Sequence, residues 1–347
     1  MTGPLYLGVD GGGTKTRFAL IDAQAGLLAE AQLGTTYHPQ VGLDGVHAIL
    51  DEGIAAVLAQ VQANNADITQ AFFGLPAYGE DSRATALLQA IPGQVLGHAR
   101  YACDNDMVCG WAGSLACADG INIIAGTGSM GYGRRGDASA RAGGWGEAFS
   151  DEGSAYWIAV QGLNAFSRMS DGRLPRAPLH AILREHFKLG EHDLDICAHV
   201  YGEGHGSRGE LAQLSPLVSQ AALAGDAVAA SIFERGGQEL AAIGEALRDT
   251  LGFQPGEPVP LSWSGGAFSA GDALMRPFAA ALHAASPDFV LRAPLHAPHY
   301  GAAVYGRLLA RWRRNRTRPG RAEPRSASAA ESQERDDQRS SPTDGRS

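Results

Sequence analysis

Residues 5–22 read LYLGVDGGGTKTRFALID, two apolar runs joined by a turn that contains three consecutive glycines. Runs rich in Leu, Val, Phe and Ile predict β-strands, here over residues 5–9 and 16–21. Residues 27–33 are expected to add a third, antiparallel strand. The chain is therefore expected to begin with a small sheet that carries a glycine turn at the end of its first strand.

The rest of the chain alternates between helical and extended patterns. Apolar residues recur at spacings of three and four between Leu43 and Val61, which predicts an amphipathic helix. The elements predicted after it are a strand at 71–75, a helix at 80–90, extended segments over 94–103, a helix at 105–117, a strand at 120–125 followed by one short strand, helices over 153–250 interrupted near Gly202–Gly209, a strand at 259–264, a helix at 272–285, a strand at 289–292 and a helix at 300–316. Such alternation is typical of α/β folds, in which helices cover largely parallel sheets.

The length of 347 residues suits two domains and a tail. A glycine and hydroxyl turn follows a buried strand twice, at the beginning of the chain and again over residues 121–134, which indicates a weak internal repeat. We expect a first domain of residues 1–117 with a returning helix at 297–316, a second domain of residues 118–296 with a helical insertion, and a disordered tail at 317–347, which lacks large apolar residues.

Composition narrows the class of protein. An apolar share of 44% supports a sizeable core, and a net charge of −9 argues against nonspecific nucleic-acid binding. Apolar runs fall short of the ~18 residues of a membrane helix. The N-terminus does not resemble a signal peptide, and the four cysteines form no CxxC pair. We therefore expect a cytoplasmic protein with free thiols, no membrane partner and no nucleic-acid partner. Because Lys15 and Lys188 are the only lysines, arginine supplies almost all positive charge.

The first glycine turn, residues 10–16, joins two strands, whereas a Walker loop or a dinucleotide-binding loop opens a helix. Its glycines allow backbone N–H groups to face a phosphate. Thr14 could add a hydroxyl donor, and Lys15 or Arg17 a positive charge. Asp10 could hold a hydrated Mg²⁺ beside the phosphates. A tight hairpin with glycines at positive φ is the structural alternative, and the triplet alone does not decide between them.

Two further glycine turns follow predicted strands, Gly126-Thr-Gly-Ser129 and Ser264-Gly-Gly-Ala267. The turn at 126–129 again combines glycines with hydroxyl side chains after a predicted strand. Two such loops in two domains could hold one polyphosphate across a cleft. The turn at 264–267 suits close backbone packing against a flat base or sugar. Taken alone, it is more simply an ordinary connection between a strand and a helix.

Transfer of a phosphoryl group to a hydroxyl needs a base, and Asp104-Asn-Asp106 stands at a predicted boundary between strand and helix. Helix capping is the alternative role for these residue types. Asp104 or Asn105 could form the cap and leave Asp106 free, but the sequence allows either aspartate to be the base.

A polar, ring-shaped ligand fits residues 143–157, which read GGWGEAFSDEGSAYW. The indole offers an apolar face, and the carboxylates of Asp151 and Glu152 could accept hydroxyl hydrogens. Both carboxylates also stand where a helix is predicted to begin, so capping is again the alternative. Tyr156 and Trp157 are expected to pack in the core.

DGGGTKT at 10–16, GTGS at 126–129 and GGWG with DEGSAYWIA over 143–159 together resemble the N-acetylglucosamine kinases of the BadF/BadG/BcrA/BcrD ATPase family, within the actin/Hsp70/sugar-kinase superfamily. The resemblance covers roughly residues 5–310. It implies two ribonuclease-H-like (actin-like ATPase) domains that hold ATP and Mg²⁺ in the cleft between them and close on the sugar. Homodimers are usual in the family.

The resemblance also implies roles for individual residues. The ATP-binding residues would be Gly11, Gly12, Gly13, Thr14, Lys15, Thr127, Gly128, Gly265, Gly266 and Ala267, with Asp10 near Mg²⁺. The sugar-binding residues would be Tyr37, Asp106, Ser129, Gly144, Trp145, Gly146, Asp151 and Ala155, with Asp106 as the catalytic aspartate. Related kinases commonly carry an asparagine in the loop after the third strand, whereas Tyr37 or His38 stands there in this chain.

The leading hypothesis is an ATP-dependent hexosamine kinase that makes N-acetylglucosamine 6-phosphate, with glucosamine as the alternative acceptor. An activator ATPase of the same family is the main rival, but it needs cysteine thiolates for an iron–sulfur cluster. The irregular spacing of Cys103, Cys109 and Cys117 fits that cluster poorly. A sugar-sensing repressor would need a helix-turn-helix extension that the sequence does not show. A nucleotide-dependent scaffold is the nonenzymatic alternative.

Overall fold

Two five-stranded mixed β-sheets form the framework of the computed structural model, which describes residues 3–202 and 206–316. The predicted disordered tail at 317–347 lies outside the described residues. The strands of the first sheet are β1 (Leu5–Gly11), β2 (Thr16–Ile21), β3 (Leu27–Leu33), β4 (Ile68–Leu75) and β5 (Tyr101–Asn105). Those of the second sheet are β6 (Gly120–Ala125), β7 (Ser129–Arg135), β8 (Ala138–Gly143), β9 (Val259–Ser264) and β10 (Phe289–Leu291).

The two sheets have equivalent topologies. The first has the order β3-β2-β1-β4-β5, and the second, read from its opposite edge, has the order β8-β7-β6-β9-β10. In each sheet a central strand pairs antiparallel with the next strand in sequence and parallel with a later one. The two hydroxyl-bearing glycine turns occupy the same place, after β1 and after β6. The internal repeat predicted from sequence is therefore architectural, and the α/β fold class is confirmed.

Eleven α-helices accompany these sheets in the described part of the chain. They are α1 (His38–Gln60), α2 (Ser82–Leu96), α3 (Met107–Ser114), α4 (Ala155–Ser170), α5 (Pro178–Phe187), α6 (Ile196–Tyr201), α7 (Arg208–Ala212), α8 (Ser215–Leu223), α9 (Ala227–Thr250), α10 (Asp272–Ala285) and α11 (Pro298–Arg316). Helices α4 to α9 form the predicted helical insertion between β8 and β9. The described residues up to Arg307 belong to one compact unit, and the contacts discussed below lie within it.

Three elements differ from the sequence prediction. Helix α1 begins five residues before the predicted start at Leu43, with a break at Gly42, whose φ is 70°. Residues 94–96, predicted to be extended, complete α2, because Val95 and Leu96 continue its buried face into the first core. Strand β8 was not predicted, since its small residues ASARAG carry no clear β pattern. The other predicted strands and helices are present within a few residues of their expected bounds.

Helices α3 and α11 pack closely because glycines lie at their crossing. A Cβ atom on Gly301 would lie 2.1 Å from the backbone nitrogen of Gly113, so the two backbones touch. Helix α11 approaches β1 equally closely, since a Cβ on Gly8 would lie 2.1 Å from the nitrogen of Ala303. On another face of α3, a Cβ on Gly110 would lie 2.8 Å from Asn122 Nδ2 on β6. Helix α3 therefore contacts both sheets, and its N-terminus is positioned by both.

Among the helices of residues 3–202 and 206–316, none is by itself both long and apolar enough to cross a membrane. One pair of segments, Arg208–Leu223 with Ala227–Thr250, passes jointly by length and composition, although the two are bent by 119° relative to each other. Buried residues of both segments belong to the core of the second sheet.

Candidate active site

Two aspartates lie at the carboxyl ends of parallel strands in the first sheet. Asp10 on β1 pairs in register with Gly74 on β4, and Gly74 pairs in register with Asp104 on β5. Asp106 follows β5 directly and precedes α3. In open α/β sheets, ligands bind in the crevice outside the carboxyl ends of the strands. Asp10 and Asp106 therefore stand where a ligand of this fold class is expected.

The carboxylate of Asp106 is not used as a helix cap. The cap is supplied by Asn105, whose Oδ1 accepts a hydrogen bond from Met107 N at 3.2 Å and whose Nδ2 donates to Tyr78 O at 3.1 Å. Asp104 accepts a hydrogen bond from Asn105 N at 2.8 Å and is attracted by Arg134. Asp106 occupies the N-cap position of α3, and its side chain makes no capping hydrogen bond. Of the two candidate bases, Asp106 is thus the one that interacts with Asp10.

Gly74 allows this close arrangement. A Cβ atom at position 74 would lie 2.2 Å from Cys109 Sγ and 3.0 Å from Asp106 Cα. Any larger residue would push the beginning of α3 away from the sheet. Cys109 Sγ in turn contacts Val9 O at 3.5 Å, next to Asp10. The absence of a side chain on β4 is therefore what lets Asp106 approach the end of β1.

Burial and mutual repulsion make both carboxylates weaker acids than usual. Burial, followed by the negative charge of Asp106, raises the pKa of Asp10 to about 8, although Arg17 and Lys15 oppose the change. Burial and the charge of Glu80 raise the pKa of Asp106 to about 7, against the opposing attraction of Arg141. A pKa near neutrality suits a general base. The pair would also accept a divalent cation readily, because a cation relieves the repulsion between the two carboxylates.

The first glycine turn is an open hairpin end rather than a left-handed turn. Gly12 N donates to Lys15 O at 2.9 Å, and none of the three consecutive glycines has a positive φ. The predicted alternative, a hairpin that needs glycines at positive φ, is therefore not what this turn shows. Glycine is required at Gly11 for space, since a Cβ there would lie 2.3 Å from Thr36 Oγ1. Gly13, Thr14 and Lys15 are exposed and free to approach a ligand.

The loop after β3 supports this turn. Thr35 Oγ1 donates to Gly12 O at 2.7 Å and accepts a hydrogen bond from Tyr37 N at 2.9 Å. The buried hydroxyls of Thr16 and Thr36 are hydrogen-bonded at 3.1 Å. Tyr37, predicted to bind sugar, is thereby tied through its backbone to the first glycine turn. Two consecutive threonines beside a glycine turn were the sequence signal for this support, which sequence reasoning did not use.

The second glycine turn is tied to the beginning of α4. Gly126 N donates to Gly128 O at 2.8 Å, and Ala155 N donates to Gly126 O at 2.9 Å. Ser129 is buried, and its hydroxyl donates to Glu152 O at 2.6 Å. Thr127 and Gly128 remain partly exposed. The structure thus brings together Thr127, Gly128, Ser129 and Ala155, which sequence reasoning divided between the nucleotide and the sugar.

The third glycine turn packs against the second. Gly265 has a φ of 101°, and a Cβ there would lie 2.4 Å from Ala125 O, at the end of β6. Gly266 and the buried Ala267 line a cavity of about 80 Å³, together with Ile158 and residues of α8 and α9. These three residues, predicted to bind ATP, therefore lie beside the second glycine turn.

Asp151 is buried against the second glycine turn in an ion pair with Arg208. Its side chain is 2% exposed, its φ is 64°, and its carboxylate contacts Arg208 Nη2. Arg208 Nε also lies 3.4 Å from Glu147 Oε2. Burial raises the pKa of Asp151, while Arg208 opposes that change. Gly128 leaves room for this ion pair, since a Cβ at 128 would overlap both charged groups.

The predicted capping role of Asp151 and Glu152 is not observed. Ser154 caps α4 instead, because its Oγ accepts a hydrogen bond from Trp157 N at 3.1 Å. Tyr156 and Trp157 are partly buried and pack against the core of the second sheet, as predicted. Asp151 is thus available for a role other than helix capping.

The predicted sugar turn follows β8 of the second sheet, and Arg141 links it to Glu80, in the segment after β4 of the first sheet. Gly144 and Gly146 have φ values of 72° and 99°, and Trp145 is 75% exposed. Arg141 Nη2 donates to Gly144 O at 2.5 Å and lies 3.3 Å from Glu80 Oε1. Because both Glu80 and Arg141 act electrostatically on Asp106, the turn belongs to the same site as the aspartate pair.

Sequence reasoning missed three charged residues at this site: Glu80, Arg141 and Arg208. None of them lies in a recognisable motif. Glu80 and Arg141 contact each other across a separation of 61 residues, and Arg208 contacts Asp151 across a separation of 57 residues. The scarcity of lysine was the available sequence signal for these arginines. Because the chain has only two lysines, arginine is expected to supply most of the positive charge at a phosphate-binding site. That signal does not say which arginines are involved.

The cysteines are spread over several elements, with Cys103 on β5, Cys109 on α3 and Cys197 on α6. All four cysteines are free, and Cys109 is buried under the first sheet. No group of three or more His, Cys, Asp or Glu side chains within residues 3–202 and 206–316 is arranged to hold a metal ion. Mg²⁺ in phosphoryl-transfer sites is usually held by one or two carboxylates plus phosphates and water, so Asp10 beside Asp106 suffices for it.

Comparisons with known proteins show which family the chain belongs to. N-acetyl-D-glucosamine kinase of Dictyostelium discoideum is 30% identical over 276 residues, covering 77% of this chain and 86% of the relative. N-acetylmuramic acid/N-acetylglucosamine kinase of Clostridium acetobutylicum is 28% identical, covering 75% and 84%. The crystal structure of a candidate N-acetylglucosamine kinase from Chromobacterium violaceum superposes with a TM-score of 0.71 at 25% identity, over 89% of this chain and 100% of that one. The sequence profile of one family matches residues 7–306. The chain belongs to the BadF/BadG/BcrA/BcrD ATPase family.

Proposed function

We propose that this protein is a kinase that transfers the γ-phosphoryl group of ATP to an amino sugar, with N-acetyl-D-glucosamine as the acceptor and N-acetyl-D-glucosamine 6-phosphate as the product. The observation that carries the proposal is the uncapped carboxylate of Asp106 beside Asp10, at the carboxyl ends of β5 and β1. The kinases named above support the class of reaction, since both relatives carry N-acetylglucosamine in their names.

In this proposal Asp106 accepts the proton of the 6-hydroxyl as that oxygen attacks the γ-phosphorus. The bond from phosphorus to the bridging oxygen breaks, and ADP leaves. Backbone N–H groups of the two glycine turns, with Thr14 and Thr127, would stabilise charge on the phosphates. Asp10 would hold Mg²⁺, which neutralises phosphate charge when bound. The raised pKa of Asp10 supports this, because an acid that repels its neighbour gains from a cation.

The acceptor would lie between Asp106 and the turn at Gly144–Gly146. The exposed indole of Trp145 offers an apolar face to the ring. Asp151 and Ser129 have their side chains engaged with Arg208 and Glu152. A direct sugar contact by either would therefore require an exchange of partners. Tyr37, in place of the family's asparagine, would contribute its ring or hydroxyl.

The assembly and the compartment are further parts of the proposal. The family resemblance supports a homodimer. The free cysteines support a location in the cytoplasm, because thiols stay reduced there. Size-exclusion chromatography with light scattering measures the first directly. A mass of one chain at micromolar concentration would contradict the dimer.

Coupled measurement of ADP release tests the function. The acceptors are N-acetylglucosamine, glucosamine, glucose, N-acetylmannosamine and N-acetylmuramic acid, each compared with water alone. We expect the highest kcat/KM with N-acetylglucosamine, and mass spectrometry should detect its phosphate ester. A higher kcat/KM with glucosamine would mean that the protein catalyses the same phosphoryl transfer with glucosamine as its substrate. If none of the sugars stimulates ADP release above the rate with water, the kinase assignment fails.

The activator ATPase predicts different results in the same experiment. It would hydrolyse ATP without a sugar, and the purified protein would contain iron. The irregular spacing of Cys103, Cys109 and Cys117 and the burial of Cys109 make this outcome unexpected. Iron analysis of protein purified under anaerobic conditions therefore separates the two functions.

A further inference from the structure

One ion pair connects the two sheets at the acceptor end of the site. Glu80 lies in the segment between β4 and α2, whereas Arg141 lies on β8 of the second sheet. Arg141 Nη2 is 3.3 Å from Glu80 Oε1, and both residues are exposed, with 28% of the Arg141 side chain and 43% of the Glu80 side chain accessible to solvent. The family resemblance assigns no role to either residue.

Arg141 also holds the turn that is proposed to bind the sugar. The same Nη2 atom donates to Gly144 O at 2.5 Å. Gly144 and Gly146 are in left-handed conformations, and Trp145 is 75% exposed. Glycine-rich backbone with an exposed side chain is intrinsically free to move. The bond from Arg141 therefore restrains a segment that receives little restraint from packing of its indole.

Both charges of the pair act on Asp106. The negative charge of Glu80 raises the pKa of Asp106, and the positive charge of Arg141 opposes that change. The pair thus lies close to the proposed base as well as to the glycine turn. An ion pair placed anywhere else between the two sheets would not connect these two parts of the site.

We propose that Glu80 and Arg141 form a positioning pair for the acceptor sugar. Arg141 bridges Glu80 and the carbonyl of Gly144, and so fixes the distance between the sugar-binding turn and the end of the first sheet that bears Asp106. The inference rests on the proposed function, since it concerns the same acceptor. Neither residue takes part in the chemical step, so the pair acts on sugar binding more than on phosphoryl transfer.

The test uses Glu80→Gln, Arg141→Gln and the double variant. Each single variant should raise the KM for N-acetylglucosamine by about tenfold, with kcat and the KM for ATP changed by less than about twofold. Because the two residues act as one unit, the double variant should be no worse than the more affected single variant. Unchanged KM in both single variants, or additive losses in the double variant, would overturn the proposal.

A matched control is available in the second half of the molecule. Arg135 and Glu257 form an ion pair at 2.9 Å with similar exposure, 36% and 33%, but it joins β7 only to the segment before β9. Glu257→Gln should leave all three kinetic constants unchanged. If it raised the KM for the sugar as much as Glu80→Gln does, loss of any ion pair would explain the effect and the positioning role would be refuted.

A measurement without substrate separates this inference from the proposed function. Hydrogen exchange of the amides at residues 143–149 should be faster in Glu80→Gln and Arg141→Gln than in the wild type or Glu257→Gln. Absence of kinase activity in the wild type would refute the proposed function. Hydrogen exchange would still show whether the contacts of Arg141 with Glu80 and Gly144 O restrain residues 143–149. Kinase activity in the wild type together with unchanged hydrogen exchange in both variants would refute the positioning role of Glu80 and Arg141 alone.

Discussion

At the scale of single residues, Asp106 carries the proposed chemistry, and its replacement is the first prediction. Asp106→Asn keeps the size of the side chain and removes its capacity to accept a proton. We expect kcat to fall by about a hundredfold to ten-thousandfold, the usual contribution of a general base. The affinity for ADP, measured by calorimetry, should remain within about twofold. Asp104→Asn should be the milder change, because Asp104 hydrogen-bonds its own neighbour and is attracted by Arg134.

The raised pKa of Asp106 predicts the pH dependence of the reaction. The base must be ionised to accept a proton, and its pKa in the free enzyme is raised to about 7 by burial and by Glu80. The value of kcat/KM should therefore fall about tenfold per pH unit below that point and level off above it. A profile that stays flat down to pH 5 would show that Asp106 is not the titrating base.

The same shift predicts how pH affects stability without ligands. A carboxyl whose folded pKa is raised stabilises the fold when protonated, and that contribution is lost as pH rises through the folded pKa. Both Asp10 and Asp106 are raised, to about 8 and about 7. Asp106→Asn should therefore increase the free energy of unfolding at pH 8 more than at pH 5. Urea unfolding at the two pH values measures the difference, and an equal effect at both would contradict the shift.

At the scale of elements, the contact between β4 and α3 positions the base. Gly74→Ala would place a methyl group 2.2 Å from Cys109 Sγ and 3.0 Å from Asp106 Cα. Overpacking of this kind costs about 1–3 kcal/mol of unfolding free energy. It should also lower kcat, since the start of α3 must move. Gly190→Ala is the control, because a Cβ at 190 meets no atom within 4 Å. Activity within about twofold of wild type in Gly74→Ala would contradict the argument.

The elements also show what sequence could and could not predict. The strand–turn–strand repeat was predicted, because local spacing specifies it, whereas the sequence left open whether Asp104 or Asp106 is the base. The last turn of α2 was assigned differently because Val95 and Leu96 pack on the first core, and β8 was missed because pairing with β7 forms it rather than its own residue pattern. Arg141 and Arg208 escaped prediction because their partners Glu80 and Asp151 are distant in sequence.

At the scale of the whole molecule, an aromatic cluster around Arg134 joins the two sheets. Arg134 lies on β7, donates to Tyr305 Oη on α11 at 2.7 Å, and stands 5.3 Å from the ring centre of Trp111 on α3. Tyr305 also meets Phe72 of the first sheet at 4.9 Å. Domain closure in a kinase needs two halves that stay connected while they move. This cluster is placed to maintain that connection.

Arg134→Met should therefore reduce stability. It removes a charged hydrogen bond and two cation–π contacts, together worth about 2 kcal/mol of unfolding free energy. Urea unfolding measures the loss. Arg173→Met, which breaks an exposed pair with Asp171, should cause a clearly smaller loss of unfolding free energy than Arg134→Met. Equal losses in the two variants would show that the cluster adds nothing beyond a surface ion pair.

The central claim is that the glycine turns of both sheets hold one ATP while Asp106 faces the acceptor. A crystal structure with N-acetylglucosamine and a nonhydrolysable ATP analogue tests it most directly. We predict the triphosphate between the turns at 11–15 and 126–128, with a carboxylate oxygen of Asp106 about 2.6–3.2 Å from the sugar's 6-hydroxyl oxygen. A nucleotide bound away from either turn, or a sugar whose hydroxyls lie beyond reach of Asp106, would contradict the account.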